Sequence, residues 1–273
     1  MEKSAITIMI PVFFAALGGL FPALAGTLNI ALEGLLLIGA FSSLTVFYFT
    51  GSAFAAIFAA IIASMILASF HVLSVFKLKT NLFISGIAIN LFSSGICIVL
   101  SDKIFGTKGV VAAKTSPSLF TWFIIFAILS LVISSLAIYK TPFGYRLRAC
   151  EKNTEALLAL GIKPQKYQIS AILISGFFCG LGGSFLSLNL GAFVPGMSAG
   201  KGWIALAVIF LGAKKPAGVL AAALVFAFAE AFSNYAQGFL SVPAGFILAF
   251  PYICTLIAMI IMSIARKEAA SPP

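Results

Sequence analysis

Long apolar runs separated by short polar turns fill most of this chain. They fall at about 6–24, 30–50, 53–75, 82–100, 119–139, 167–190, 203–213, 217–235 and 244–265. A helix needs about 20 mainly apolar residues to cross the hydrocarbon core of a bilayer, and the run 203–213 falls well short of that. The pattern predicts an all-α polytopic transmembrane helix bundle of about 9 spans (8–10), built as one domain over residues 1–273. Two stretches break it. Pro22, Gly26 and Gly34 bracket the run Asn29-Ile30-Ala31-Leu32-Glu33, and residues 191–202 form a Gly/Pro-rich approach to the short run. Irregular backbone at membrane depth is tolerated only where protein buries it or where it lines a cavity. Discontinuous helices of this kind are a transporter feature. The other reading of 191–202 is an ordinary extracellular loop.

The interval at 140–166 stands apart because it is polar. It holds Lys140, Arg146, Arg148, Lys152, Lys163 and Lys166, six of the 17 basic residues. A short helix is predicted inside it, with Asn153 as N-cap, 154–160 as the body, Gly161 as the left-handed C′ residue and Pro164 as the stop. Such a helix is roughly 10 Å long. It cannot span a bilayer, and alone in water it is too short to be stable. Yet it carries Leu157, Leu158 and Leu160. Those leucines need cover, either from the bundle above or from another protein on that side.

Composition agrees with the pattern. The chain is 62% hydrophobic and 9% charged, with a mean hydropathy of +1.15, whereas soluble domains carry about 25% charged residues. The net charge of +10 is therefore no sign of nucleic-acid binding, because excess Lys and Arg mark the cytoplasmic loops of membrane proteins. With 140–166 placed inside, Lys77, Lys79, Lys214, Lys215, Arg266 and Lys267 fall inside too. Lys3, Lys103, Lys108, Lys114 and Lys201 remain outside, a split of twelve to five that puts the N-terminus outside and the C-terminus in the cytoplasm. Cys97, Cys150, Cys179 and Cys254 are scattered, with neither disulfide nor metal-ligand spacing. Met1 leads into the first apolar run with no cleavable signal pattern.

Candidate chemistry is confined to a few polar residues inside apolar runs. A charged side chain at the bilayer centre costs at least ~2.5 kcal/mol, so it faces the bundle interior or a water-filled path. Glu33 and Glu230 are the two acids so placed, and Asn29, Asn90, Asn189, Asn234 and Gln237 give a weaker form of the same signal. Asn29, Glu33, Asn90, Glu230 and Asn234 are the candidate path residues. Glu33 has a structural alternative, a bond to backbone amide at the broken segment. Glu230 and Asn234, one turn apart, can equally bond helix to helix. His71, six residues before Lys77, is expected at the membrane interface. Gly176, Gly180 and Ser184 form one small-residue ridge, and Gly182 with Gly183 a second, which lets helices approach closely.

No catalytic or metal-binding motif is present. The run Gly-Met-Ser-Ala-Gly-Lys-Gly at 196–202 imitates a phosphate loop, but Pro195 stands where Gly is required and Gly202 where Ser or Thr is required. The sequence thus predicts a transport protein, with neither enzyme activity nor cofactor. Its energy must come from an ion gradient or from a partner that hydrolyses ATP. An ion-coupled secondary carrier should show paired ionisable residues at the midplane, and here they are few.

Several motifs resemble one family. The run 29–41, Asn-Ile-Ala-Leu-Glu-Gly-Leu-Leu-Leu-Ile-Gly-Ala-Phe, is similar to a signature of the permease subunits of bacterial ATP-binding-cassette importers. The group is the one with ribose and branched-chain amino acid permeases. Residues 84–90, 144–162, 175–188, 193–207 and 251–256 follow its pattern in order, most closely that of the shorter, nucleoside-type permeases. Ala31 replaces the usual glycine, and Thr154 stands where a proline often opens the coupling helix. The resemblance implies a type II importer-like fold and a multi-pass protein of the bacterial inner membrane. It implies an ABC ATPase subunit, a second, longer permease as heterodimer partner, and an extracytoplasmic solute-binding protein or lipoprotein, with membrane lipid around them. It assigns coupling to the ATPase to Arg146, Arg148, Glu151, Asn153, Glu155, Leu157, Leu158, Leu160 and Gly161. A nucleoside is the implied solute. Riboflavin, a simple sugar or a branched-chain amino acid remain open.

Overall fold

A computed structural model of the chain describes residues 2–113 and 119–236. In order, the helices are α1 Glu2–Leu24, α2 Leu32–Thr50, α3 Ala53–Val72, α4 Leu82–Phe105, α5 Leu119–Lys140, α6 Pro142–Lys152, α7 Thr154–Ala159, α8 Pro164–Leu190, α9 Lys201–Leu211 and α10 Pro216–Ala236. A π-helical turn, Leu73–Lys77, extends α3. Two short strands, β1 Val111–Ala112 and β2 Ala192–Phe193, pair antiparallel, with Val111 opposite Phe193. Seven helices, α1, α2, extended α3, α4, α5, α8 and α10, are long and apolar enough to cross a membrane. The predicted run 203–213 is α9, with 11 residues, and 244–265 lies outside the described residues. The expectation of about nine spans thus becomes seven long helices and one short one among the described residues.

Burial sorts the helices into layers. Along its apolar stretch α1 is 78% buried and α8 67%, while α3, α4 and α5 are 28% or less. Hence α1, α2 and α8 form the centre, and α3, α4 and α5 turn side chains such as Phe58, Phe92, Ile128 and Ile133 outward. Lipid tails are as apolar as leucine, so this packing relies on close approach rather than on exclusion of water. Helix α8 supplies it on two sides. A Cβ at Gly180 would lie 2.6 Å from Ile61 Cα, and one at Gly176 2.8 Å from Ala68 Cβ, so this ridge seats against α3. A Cβ at Gly183 would overlap the backbone of Leu36 and Ala40 on α2, and one at Gly182 would come within 3.1 Å of Pro11 O on α1.

Between α1 and α2 the backbone is irregular, and side chains from distant helices satisfy it. Gly26 adopts a left-handed conformation, φ +74°, and Gln168 Nε2 on α8 donates to Ala25 O at 3.3 Å. Asn90 on α4 accepts from Gly34 N at 2.7 Å and donates to Ile30 O at 3.0 Å, replacing partners that a continuous helix would supply. Ser93 Oγ donates to Gly34 O and Ser64 Oγ to Leu35 O. His71, in the last turn of α3, is fully buried against α4, with Nδ1 2.9 Å from Ser85 Oγ.

Candidate functional site

The intramembrane polar residues gather around the first turns of α2 and α9. Asn29 is fully buried. Its Nδ2 donates to Ser175 Oγ at 2.6 Å, and its Oδ1 accepts from Ala31 N at 2.9 Å. Residues 194–200 pass from β2 to α9 through successive turns, with Gly196, Ala199 and Gly200 at φ +74°, +45° and +82°. They end against Glu33. Both its carboxylate oxygens are used, Oε1 by Gly200 N at 2.9 Å and Oε2 by Gly202 N at 2.7 Å. A carboxylate at a helix N-terminus meets unpaired amides and the positive end of the helix dipole together. Gly202 is required there, because a Cβ would overlap the backbone of Leu32 and Glu33.

Lys201, counted with the outside residues in the charge split, does not stand free. Its Nζ lies 3.7 Å from Glu230 Oε1 on α10, with the two side chains 14% and 22% exposed. Burying either charge alone would be costly, and the pair answers that in part. Glu230 Oε2 is buried without a hydrogen-bond partner among the described residues. Asn234, one turn on, is exposed. Thus Asn29, Glu33 and Asn90 hold the two interrupted segments, whereas Glu230, with one buried oxygen unsatisfied among the described residues, and the exposed Asn234 lie on α10. Gln237 lies outside the described residues.

The 140–166 segment is two helices rather than one. Pro142 and Gly144 stand in the first turn of α6. Thr141 caps it by accepting from Gly144 N at 3.2 Å, and Pro142 sits where its fixed φ favours a helix and its missing N–H costs nothing. Gly144 lies so close to the Ala137 and Ile138 carbonyls that any side chain would overlap them. Helix α6 buries Gly144, Leu147 and Cys150 on one face. Burial pushes the Cys150 thiol pKa upward. Arg148 stacks over the Tyr139 and Tyr145 rings, 5.2 Å from each centroid, and Arg146 donates to Tyr167 Oη at 2.9 Å. Asn153 then caps α7, accepting from Ala156 N at 3.0 Å. Gly161, at φ +72°, closes it. Helix α7 ends at Ala159, one residue short of the predicted body.

The three leucines part company. Leu157 is 5% exposed, while Leu158 and Leu160 are 57% and 74% exposed. Glu155 is exposed beside them. Glu151 turns away from this surface and pairs with Lys214 in the α9–α10 turn, while Lys214 Nζ also sits 5.8 Å from the Phe210 centroid. Sequence reasoning missed Lys214 as a partner, and it missed α6. The Thr141-Pro142 cap signature could have revealed the helix. Nothing local could have revealed the ion pair, whose residues lie 63 positions apart.

A helical bundle of this length, with two interrupted segments joined through a carboxylate, is a multi-pass membrane protein of transporter type. The chain belongs to the family described as the branched-chain amino acid transport system / permease component, whose pattern it matches over residues 3–265. It is 31% identical to the guanosine ABC transporter permease protein NupQ of Bacillus subtilis over 91% of this chain and 87% of that protein. It is 28% identical, with the same coverage, to the nucleoside ABC transporter permease protein NupC of Lactococcus lactis. A putative glucose ABC transporter permease protein, TsgC13 of Haloferax volcanii, is 28% identical over 82% of this chain and 73% of its own length. Among solved structures, PsaBC from Streptococcus pneumoniae in complex with Fab matches with a TM-score of 0.59 at 13% identity, covering 94% of this chain and 90% of that one. That likeness concerns the fold alone. The protein is an ABC transporter permease, one component of a multi-component system.

Proposed function

We propose that this permease moves a nucleoside inward across the bacterial cytoplasmic membrane, driven by a separate ATPase subunit that docks on α7. The observation that carries the coupling is the exposed pair Leu158, on a capped six-residue helix, and Leu160, at its C-cap, at the basic end of the bundle. A helix this short is not stable alone, and the two exposed leucines form an anchor for a hydrophobic groove. The excess of Lys and Arg at this end supports a cytoplasmic placement for it, with the N-terminus opposite. A second, longer permease completes the pathway, and an extracytoplasmic binding protein delivers the solute. The relatives named for guanosine and nucleosides support the solute class.

The test is reconstitution of the complex in liposomes. Uptake of radiolabelled guanosine should require internal ATP, and excess unlabelled nucleoside should compete where glucose does not. Replacing Leu158 and Leu160 with Asp should abolish co-purification of the ATPase while the permease stays monodisperse. Survival of the complex, or uptake by the chain alone, defeats the proposal. Leu157 is unsuited to this test because it is buried.

A further inference from the structure

Three salt bridges occur among the described residues, and two of them sit at opposite ends of α9. At its N-terminus Lys201 pairs with Glu230, and Glu33 binds the amides of Gly200 and Gly202. At its far end Lys214 pairs with Glu151, the penultimate residue of α6. The 11 residues between span about 16 Å. Little play exists at either end. Gly202 abuts the α2 backbone and Gly212 abuts Gly218 and Val219, each too closely for a side chain. Ala213 and Lys214 both hold positive φ, +55° and +54°, a strained conformation that persists only where surroundings enforce it. Glu151 also touches the other interrupted segment, since a Cβ at Gly26 would lie 3.4 Å from Glu151 Cα. That segment leads directly into Glu33. Both routes from Glu151 therefore converge on one carboxylate.

We infer that Lys214 and α9 are the positioning element through which movement of the α6–α7 segment reaches the Glu33–Lys201–Glu230 cluster. The inference rests on the proposed docking of an ATPase at α7. A displacement of α6 pulls Lys214 by its charge. A short helix clamped at both ends passes that displacement on, instead of absorbing it as a loop would. At its N-terminus the displacement meets Glu230, whose Oε2 is buried with no hydrogen-bond partner among the described residues.

The test uses the full complex in nanodiscs with ATPase, sister permease and solute-loaded binding protein. It reads the ratio of stimulated to basal ATP hydrolysis together with ATPase co-purification. Lys214→Glu should lower the ratio by roughly five- to tenfold, the size of an ordinary coupling between sites. The ATPase should still co-purify in full. Adding Glu151→Lys should restore the ratio to within about twofold of the unsubstituted complex, as reciprocal exchange of an interacting pair requires. If Lys214→Glu yields no monodisperse protein, Lys214→Met keeps the stem over Phe210, removes the charge, and should lower the ratio alike. An unchanged ratio, or a double exchange no better than the single one, overturns the inference. So does loss of ATPase from the Lys214 variant, which would put this residue on the docking surface. If the unsubstituted chain holds no ATPase, the docking reading fails first and the inference with it.

Discussion

Glu33 joins two segments that lie 167 residues apart in sequence. Replacing it with Ala removes both acceptors and leaves the amides of Gly200 and Gly202 without these partners in a part-buried site. Hydrogen bonds to a charged group contribute about 1.5–3 kcal/mol each, so Glu33→Ala should cost roughly 3–6 kcal/mol. In a chain of this size about 1 kcal/mol moves the melting temperature by about 2–4 °C. The midpoint of monodisperse-peak loss on heating in detergent should therefore fall by on the order of 10 °C. Glu33→Gln keeps one acceptor and loses the charge, and should fall about half as far. Glu33→Asp separates reach from charge. It keeps the carboxylate but draws it back by one methylene, too far to serve amides bonded at 2.9 and 2.7 Å together. It should behave like Gln. If Asp instead matched the unsubstituted protein, the charge near the α9 dipole would be the operative term, worth about 0.3–1 kcal/mol, and the two-bond account would be wrong. A Glu33→Ala protein melting within about 2 °C of the parent would refute both.

Two smaller predictions follow from packing and burial. Gly183→Val should give no monodisperse protein by size exclusion, since even a Cβ there overlaps the backbone of α2; recovery at parental yield would contradict the packing described for α8. Burial raises the Cys150 thiol above its usual pKa, so the folded protein holds this proton where the unfolded chain releases it. Any stability linked to Cys150 is then present below the ordinary thiol pKa and declines as pH rises past it. Alkylation of Cys150 at pH 7.5, followed by mass spectrometry, should lag well behind an exposed thiol, and rapid labelling would refute the burial.

Sequence reading succeeded where the membrane imposes a local rule. Length and apolarity located the long helices within a few residues, because each must cover the same hydrocarbon depth. The Asn153 cap and Gly161 closure located α7, because capping is a short-range interaction. The small-residue ridges of α8 were visible for the same reason. Long-range contacts were less legible. Asn29, Glu33 and Asn90 announced themselves as polar, but a polar residue in an apolar run does not reveal whether it faces backbone or solute. Only the positions of Gly200, Gly202, Ile30 and Gly34 distinguish these. The pairing of Lys201 was not foreseen because a Lys after a Gly-rich stretch looks like a loop residue. Its partner lies on a helix whose sequence gives no register relative to α9. Helix α6 went unpredicted although Pro is favoured at the first helical position, where it stands again in α8.

The two interruptions explain one another. A single break in a membrane helix strands amides and carbonyls, and each stranded group costs several kcal/mol in hydrocarbon. Water could satisfy them singly, but lipid cannot. Here the break before α2 presents a carboxylate and the break before α9 presents amides, so the defect of one is the ligand of the other. Asn90 on α4 satisfies Gly34 N and Ile30 O at the break, and Ser93 and Ser64 add donors to the Gly34 and Leu35 carbonyls inside α2. Neither segment can then shift alone without exposing groups that the other holds. Displacing either segment alone would strand the amides or the carboxylate that the other satisfies. The polar residues within these apolar runs therefore bind two segments 167 residues apart into one unit.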